Sequence, residues 1–258
     1  MSDKQVDMNV GEPVGEPVQG VGVTEYEISL LSRGKIGLPE SVSIKSMTAK
    51  EEDILANPTF IRNGTVFNKL LSSVLRTKVD PQKLLAGDRD WILLNARIDA
   101  YGNEYPIEIS CPECEEKSKV MYSLESVEKE SIRIEPDILG ENTFTVTTPS
   151  GTEITFAFWT VGMQQRLDTY LKNSKNKSPI TGKMFIQTLK INGEEDRQTI
   201  RDTIESMPAK DSLYIRKYIN EHAAGVDMKL DFECENCGHF EGGIEVPMGT
   251  SFFWPELD

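Results

Sequence analysis

Two pairs of cysteines concentrate the chemistry of this chain: Cys111-Pro-Glu-Cys114 and Cys234-Glu-Asn-Cys237, the second followed directly by a glycine. A C-x-x-C turn lets two sulfurs reach one ion, because the backbone amides of the turn point inward and stabilise thiolate charge. Two such turns complete a tetrahedron, and four thiolates close the shell with no position left for a reactive water. Cys111, Cys114, Cys234 and Cys237 are therefore expected to bind one structural zinc ion. Four thiolates also suit iron; zinc is favoured because paired knuckles of this kind are its common structural use.

The pairs stand 119 residues apart, against a usual stretch of about 15 to 20. Loop closure grows only as ~(3/2)RT ln n, so lengthening a loop from ~17 to ~120 residues costs ~1.7 kcal/mol, while structural zinc contributes ~10 to 16 kcal/mol. The spacing does not veto the site, and its cost falls further if the intervening stretch folds by itself and holds its own ends together. Two unrelated reduced pairs are the bland alternative. Disulfide exchange is another, but it needs a redox pair at a helix N-terminus in a thioredoxin-like unit, and strand-like segments follow each pair here. His239 stands close enough in sequence to replace a thiolate, yet four cysteines leave it no vacancy.

Little other chemistry is legible. The only histidines are His222 and His239, and there is no G-x-S-x-G, Walker loop, H-E-x-x-H or Rossmann glycine fingerprint, so the protein is expected not to be an enzyme. The acid runs Glu51-Glu52-Asp53 and Glu194-Glu195-Asp196, and the acids from Glu125 to Glu141, read as solvated faces. Lys and Arg number 28 against 42 Asp and Glu, a net charge of -14 that repels nucleic-acid phosphates and an anionic leaflet alike. No apolar run approaches the ~20 residues that span a bilayer. No nucleic-acid, membrane or small-molecule partner is expected. The start MSDKQVDMNV lacks the basic and apolar stretches of a secretory signal, which points to a reducing cytosol where cysteines serve as ligands rather than disulfides.

The elements that must position the cysteines follow from patterning. Residues 23–47 alternate around Gly34 and Gly37 as two short strands would. Thr48 stands three residues before Glu51, a capping-box spacing that starts a helix. Val66, Phe67, Leu70, Leu71, Val74 and Leu75 paint one apolar helical stripe, Asp80-Pro81 opens another turn, and Asp88 is expected to cap a helix that presents Trp91, Leu94, Ile98 and Tyr101 and ends at Gly102. Short β-type runs flank both cysteine pairs. Between them, residues 142–160 read as a hairpin turning at Ser150-Gly151, Val161 to Lys172 as an amphipathic helix, Ile191-Asn192-Gly193 as a turn, and residues from Pro208 as a helix carrying Leu213, Ile215, Tyr218 and Ile219 that stops at Gly225.

The expected fold is thus α+β: a helical N-terminal layer, a split four-cysteine zinc ribbon and an inserted small α+β domain. Its parts are a flexible Gly/Pro/Val-rich tail (1–22), a β/helical region with the first knuckle (23–131), the insert (132–227), and a second knuckle with an aromatic C-terminus (228–258). Phe252, Phe253 and Trp254 crowd that terminus; they either fold into the chain's own core or dock on a partner, since large aromatics dominate interface hot spots.

Several segments together resemble the baseplate proteins of T4-like contractile-tailed bacteriophages, over about residues 24–255. They occur in order: LLSRGK from Leu30, AGDRDWILLNARIDAYGNEY from Ala86, CPEC from Cys111, the ING turn, ESMPAKDS, CENCG from Cys234, and FFWP from Phe252. The resemblance implies a non-enzymatic hub subunit or assembly factor that contacts other tail proteins, working in the host cytoplasm during assembly and either kept in the virion tail baseplate or released from it. It brings no catalytic residues, only the four cysteines as metal ligands and the terminal aromatics as partner contacts. A zinc-ribbon adaptor for nucleic acid is the alternative, against which the net charge stands.

Overall fold

The computed structural model describes residues 23–173 and 178–254; the expected tail, residues 1–22, lies outside the described residues. β1 (Glu25–Ser29) and β2 (Ser41–Lys45) pair antiparallel, Glu25 opposite Lys45 and Ser29 opposite Ser41, across a loop containing Gly34 and Gly37. Helix α1 (Ala49–Ala56) starts where the capping box predicts: the Glu51 carboxylate accepts from the Thr48 backbone N–H at 2.9 Å and from its hydroxyl at 2.7 Å. Glu51 is nevertheless not part of a solvated acid face. It is fully buried, ion-paired to Lys45 Nζ at 2.6 Å and also bonded by the Ser73 hydroxyl. Short α2 (Pro58–Arg62) is capped by Asn57, and α3 (Val66–Val74) buries the expected stripe of Val66, Leu70, Leu71 and Val74.

Helix α4 (Ala86–Tyr101) begins before its expected cap. The Ala86 N–H is taken by the Trp159 carbonyl at 2.9 Å, and Leu85 bridges Thr160, so a neighbouring segment does the capping and Asp88 is free to turn inward. There Asp88 accepts the Ser32 N–H at 3.0 Å, and its burial pushes its pKa up. The helix buries Ile92, Leu93, Leu94, Ala96 and Arg97, more of its circumference than the expected stripe. At Gly87 it presses on the residue before a later strand: a Cβ there would sit 2.1 Å from the Ala224 carbonyl oxygen.

The rest is a series of small antiparallel units. β3 (Glu104–Ser110) and β4 (Lys117–Ser123) form the first cysteine-bearing hairpin, and β5 (Glu128–Glu130) follows. The hairpin of β6 (Phe144–Thr147) and β7 (Glu153–Phe156) turns at Ser150-Gly151 as read. Helices α5 (Val161–Asn173) and α6 (Pro179–Gln187) precede β8 (Thr188–Ile191), which adds to β7 to give the order β6-β7-β8. Asn192 and Gly193, both at positive φ, close the ING turn. After α7 (Arg197–Glu205), α8 (Ala209–His222) stops short of Gly225, because Gly225 already belongs to β9 (Gly225–Asp227). Ile215 and Ile219 are core, but Leu213 faces out. β10 (Lys229–Glu233) and β11 (Phe240–Glu245) form the second cysteine hairpin.

One continuous core runs from β1, β2, α3 and α4 through Phe144, Phe156, Ile200 and Ile215 to Phe232 and Phe252. A small satellite of Ala157, Met163, Leu167 and Ile186 lies under α5 and α6. The architecture is mixed helix and antiparallel strand, as expected. No helix among the described residues is long and apolar enough to cross a membrane.

Candidate metal centre

Each cysteine pair occupies the six-residue connection of its hairpin, since Ser110 pairs with Lys117 and Glu233 with Phe240. The two connections are built alike. Cys111 N–H donates to the Glu116 carbonyl at 2.8 Å and Glu115 N–H to the Cys111 carbonyl at 2.9 Å; Cys234 N–H donates to His239 at 2.8 Å and Gly238 N–H to Cys234 at 2.8 Å. The residue after the second cysteine must then take a left-handed conformation, φ 69° at Gly238 and φ 60° at Glu115. Glycine does this without steric cost and glutamate does not.

The turns meet. All four sulfurs lie within 4.8 Å of one another, with Cys111 to Cys237 at 3.7 Å and Cys114 to Cys234 at 3.6 Å. A tetrahedron with Zn–S bonds of ~2.3 Å has edges of ~3.8 Å, whereas a disulfide needs ~2.05 Å. The set therefore fits a metal ion and does not fit paired disulfides. Cys111 and Cys234 are buried, Cys114 is half-buried and Cys237 is exposed, so the centre lies at the edge of the core with one vertex toward solvent. His239 supplies its backbone to the turn, while its ring is not among the metal-capable groups.

Electrostatics also favour a cation. The Asn236 side-chain amide, 3.5 Å from Cys114 Sγ, and the Glu116 backbone N–H hold the Cys114 thiol down, to about 6. Cys237 goes the other way, up to about 12: the His239 amide pulls it down, but the Cys114 sulfur, burial and the other two sulfurs outweigh that pull. Four thiols at this spacing cannot all ionise together unless a positive charge sits between them.

A buried arginine ties the first knuckle's hairpin to the C-terminus. Arg97 is 1% exposed and donates from Nη2 to the Glu104 carbonyl at 2.8 Å, from Nε to the Phe252 carbonyl at 3.3 Å, and from Nη1 to the Gly102 carbonyl. Tyr105 and Phe252 pack edge to face at 5.0 Å under the guanidinium, and Phe253 meets Phe67 at 5.8 Å. Phe252 and Phe253 are fully buried: of the two readings of the terminal aromatics, packing into the chain's own core describes these two rings. Trp254 alone of the three is exposed, at 43%. Sequence reading missed Arg97 and Asn236. The signals were an arginine inside the apolar run of α4 and an amide within the second knuckle.

Comparison with known proteins bears on all of this at once. No curated protein and no solved structure matches the chain. A family model described as T4 bacteriophage base plate protein matches residues 23–254, a span that includes both cysteine turns, α4 with Arg97, and the aromatic terminus. The chain belongs to the T4 bacteriophage base plate protein family.

Proposed function

We propose that Cys111, Cys114, Cys234 and Cys237 hold one structural zinc ion that clips β3-β4 to β10-β11 as a split ribbon, in a subunit or assembly factor of the base plate hub. The chain's part in tail morphogenesis is structural and non-catalytic, as its family is. The observation that carries the zinc reading is the set of four sulfurs within 4.8 Å, contributed by two turns of identical hydrogen bonding. The ion would supply a closed-shell cross-link between distant parts of the chain.

The same reading makes 132–227 an insert between 23–131 and 228–258. What supports it is the β5-β9 pair, in which Glu128 opposes Asp227 and Glu130 opposes Gly225. With these ends clamped, thirteen residues separate Cys114 from Glu128 and six separate Asp227 from Cys234. The effective ribbon loop falls back into the usual range of about 15 to 20, and the closure cost of the long insert is met by the insert's own fold. Contacts with other tail proteins are the means of action, Trp254 is the terminal ring left for a partner, and the site of action is the host cytoplasm during assembly and then the virion tail.

The test is metal content and native mass of the purified chain, with and without Cys234→Ser. One zinc per chain, lost in the variant together with folded stability, is the expected result. Folded, freshly reduced protein without metal would overturn the clip. Nucleic-acid binding that weakens steeply with salt would instead favour the adaptor alternative.

A further inference from the structure

Away from the cysteines, α5, α6 and α7 enclose an open groove of about 980 Å³ with the Asp80–Lys83 turn at one end. Its walls carry Arg166 and Arg201, with Tyr170 and Phe185 between them. Arg201 lies over Phe185 at 4.3 Å and over Tyr170 at 5.4 Å, and Arg197 lies over Phe185 at 4.1 Å. Stacking holds a guanidinium by its face and leaves its edge free to receive a carboxylate with two parallel hydrogen bonds.

The three arginines are unmatched in charge. None has a carboxylate within ion-pair distance among the described residues, although other cations from Lys35 to Lys229 do. Arg197 anchors itself on the Thr188 and Phe185 carbonyls at 2.7 and 2.6 Å. Arg201 donates only to the Tyr170 hydroxyl at 3.3 Å. Arg166 makes no hydrogen bond or ion pair with the described residues. Burial, then the nearby charges of Arg166 and Arg201, push the Arg197 pKa down: the cluster is held together against its own repulsion.

In a chain of net charge -14 such a concentration of free positive charge is a local exception. We propose that the α5-α6-α7 groove is a docking site for an acidic segment of a partner protein, whose carboxylates are received by Arg166 and Arg201 while Arg197 supplies fixed positive charge. An acidic peptide fits better than nucleic acid. The groove is short, and the rest of the surface repels a continuous polyanion, whereas a peptide brings its carboxylates to one spot. The proposal rests on the assembly reading only for the partner being a protein.

The probe is a fluorescein-labelled glutamate decapeptide titrated into the full metal-loaded chain and followed by anisotropy. Saturable binding is expected, weakened by about 0.5 M salt and at least about tenfold in Arg166→Gln/Arg201→Gln, and unchanged in Lys50→Gln/Lys210→Gln. Metal content and melting temperature of each variant are read alongside, and Arg166→Gln alone, at an exposed residue without partners, guards against misfolding of the double variant. Absence of peptide binding, binding indifferent to the arginine substitutions, or tighter arginine-dependent binding of a single-stranded DNA of equal charge would each overturn the proposal. Folded, freshly reduced wild-type chain that carries no metal but still binds the peptide would strike the clip alone and leave the groove standing.

Discussion

Replacing Arg97 with methionine removes a fully buried cation whose three donors satisfy carbonyls of three segments: the end of α4, the start of β3 and the C-terminal turn. Methionine refills most of the volume, so the cavity left is small, but the carbonyls of Gly102, Glu104 and Phe252 lose their donors. The Phe252 carbonyl, whose bond is buried, costs ~1 to 3 kcal/mol if left unsatisfied, while those of Gly102 and Glu104, on exposed residues, can turn in part to water. Against this stands the relief of no longer desolvating a guanidinium, the same burial that lowers its pKa. A hydrogen bond from a charged donor contributes about 1.5 to 3 kcal/mol, and with three such bonds lost against that relief about 3 kcal/mol is the expected net loss here. At ~2 to 4 °C per kcal/mol for a chain of this size, the melting temperature should fall by roughly 10 °C. Thermal melts by circular dichroism measure the size of the effect, and Trp254 emission, read in a Trp91→Phe/Trp159→Phe background, reports its place, because the turn carrying Phe252 and Phe253 is released with it. Arg97→Lys should recover less than half, since a point charge cannot reach all three carbonyls. A loss below about 1 kcal/mol, with unchanged Trp254 emission, would refute the claim that Arg97 joins these segments.

Glu51 supplies a pH prediction. Burial alone would raise its pKa, but Lys45, Ser73 and Thr48 win and lower it from 4.5 to about 2. A depressed carboxylate contributes stability that is present above its unfolded value and lost as pH falls through the folded one. Of order 3 kcal/mol should therefore disappear between about pH 4.5 and 2, seen in urea midpoints, and Glu51→Gln should flatten that window. At the knuckles, Gly238→Ala should cost about 1 to 2 kcal/mol through backbone strain alone, since nothing lies within 4 Å of an added Cβ, whereas Glu115→Gly should gain up to about 1 kcal/mol. Zinc-loaded melts of the two variants moving in the same direction would contradict the matched geometry. Gly87→Ala should destabilise by about 2 to 3 kcal/mol in urea titrations, because the new methyl meets the Ala224 carbonyl oxygen at 2.1 Å; a neutral result would mean that α4 does not press on the chain there.

Much of the local structure was legible because it obeys short-range rules. Thr48 and Glu51 form the capping box their spacing implies, α3 buries the stripe its period predicts, Gly102 ends α4, and Asn192-Gly193 turns where expected. Misreadings came where a distant segment supplied what local chemistry seemed to require. Asp88 is not the cap of α4 because the Trp159 carbonyl already takes the Ala86 N–H. Glu51 is not solvated because Lys45 from β2 reaches it. Leu213 belongs to the helical pattern of α8 but lies on a side that the other described elements leave exposed.

The cysteine centre divides in the same way. Residue type and C-x-x-C spacing suffice to say that each turn can offer two sulfurs to one ion, because that geometry is complete within six residues. That the two turns face each other across 119 intervening residues, with Asn236 of one reaching Cys114 of the other, depends on tertiary structure: on the β5-β9 pair that brings the chain back and on the Arg97 and Phe252 contacts that seat the first hairpin. Such contacts are long-range choices among many possible partners, set by total packing and charge satisfaction rather than by any pattern in the neighbouring residues. The arginine groove is of the same kind, for Arg166 and Arg201 share a face only once α5 and α7 have packed around α6.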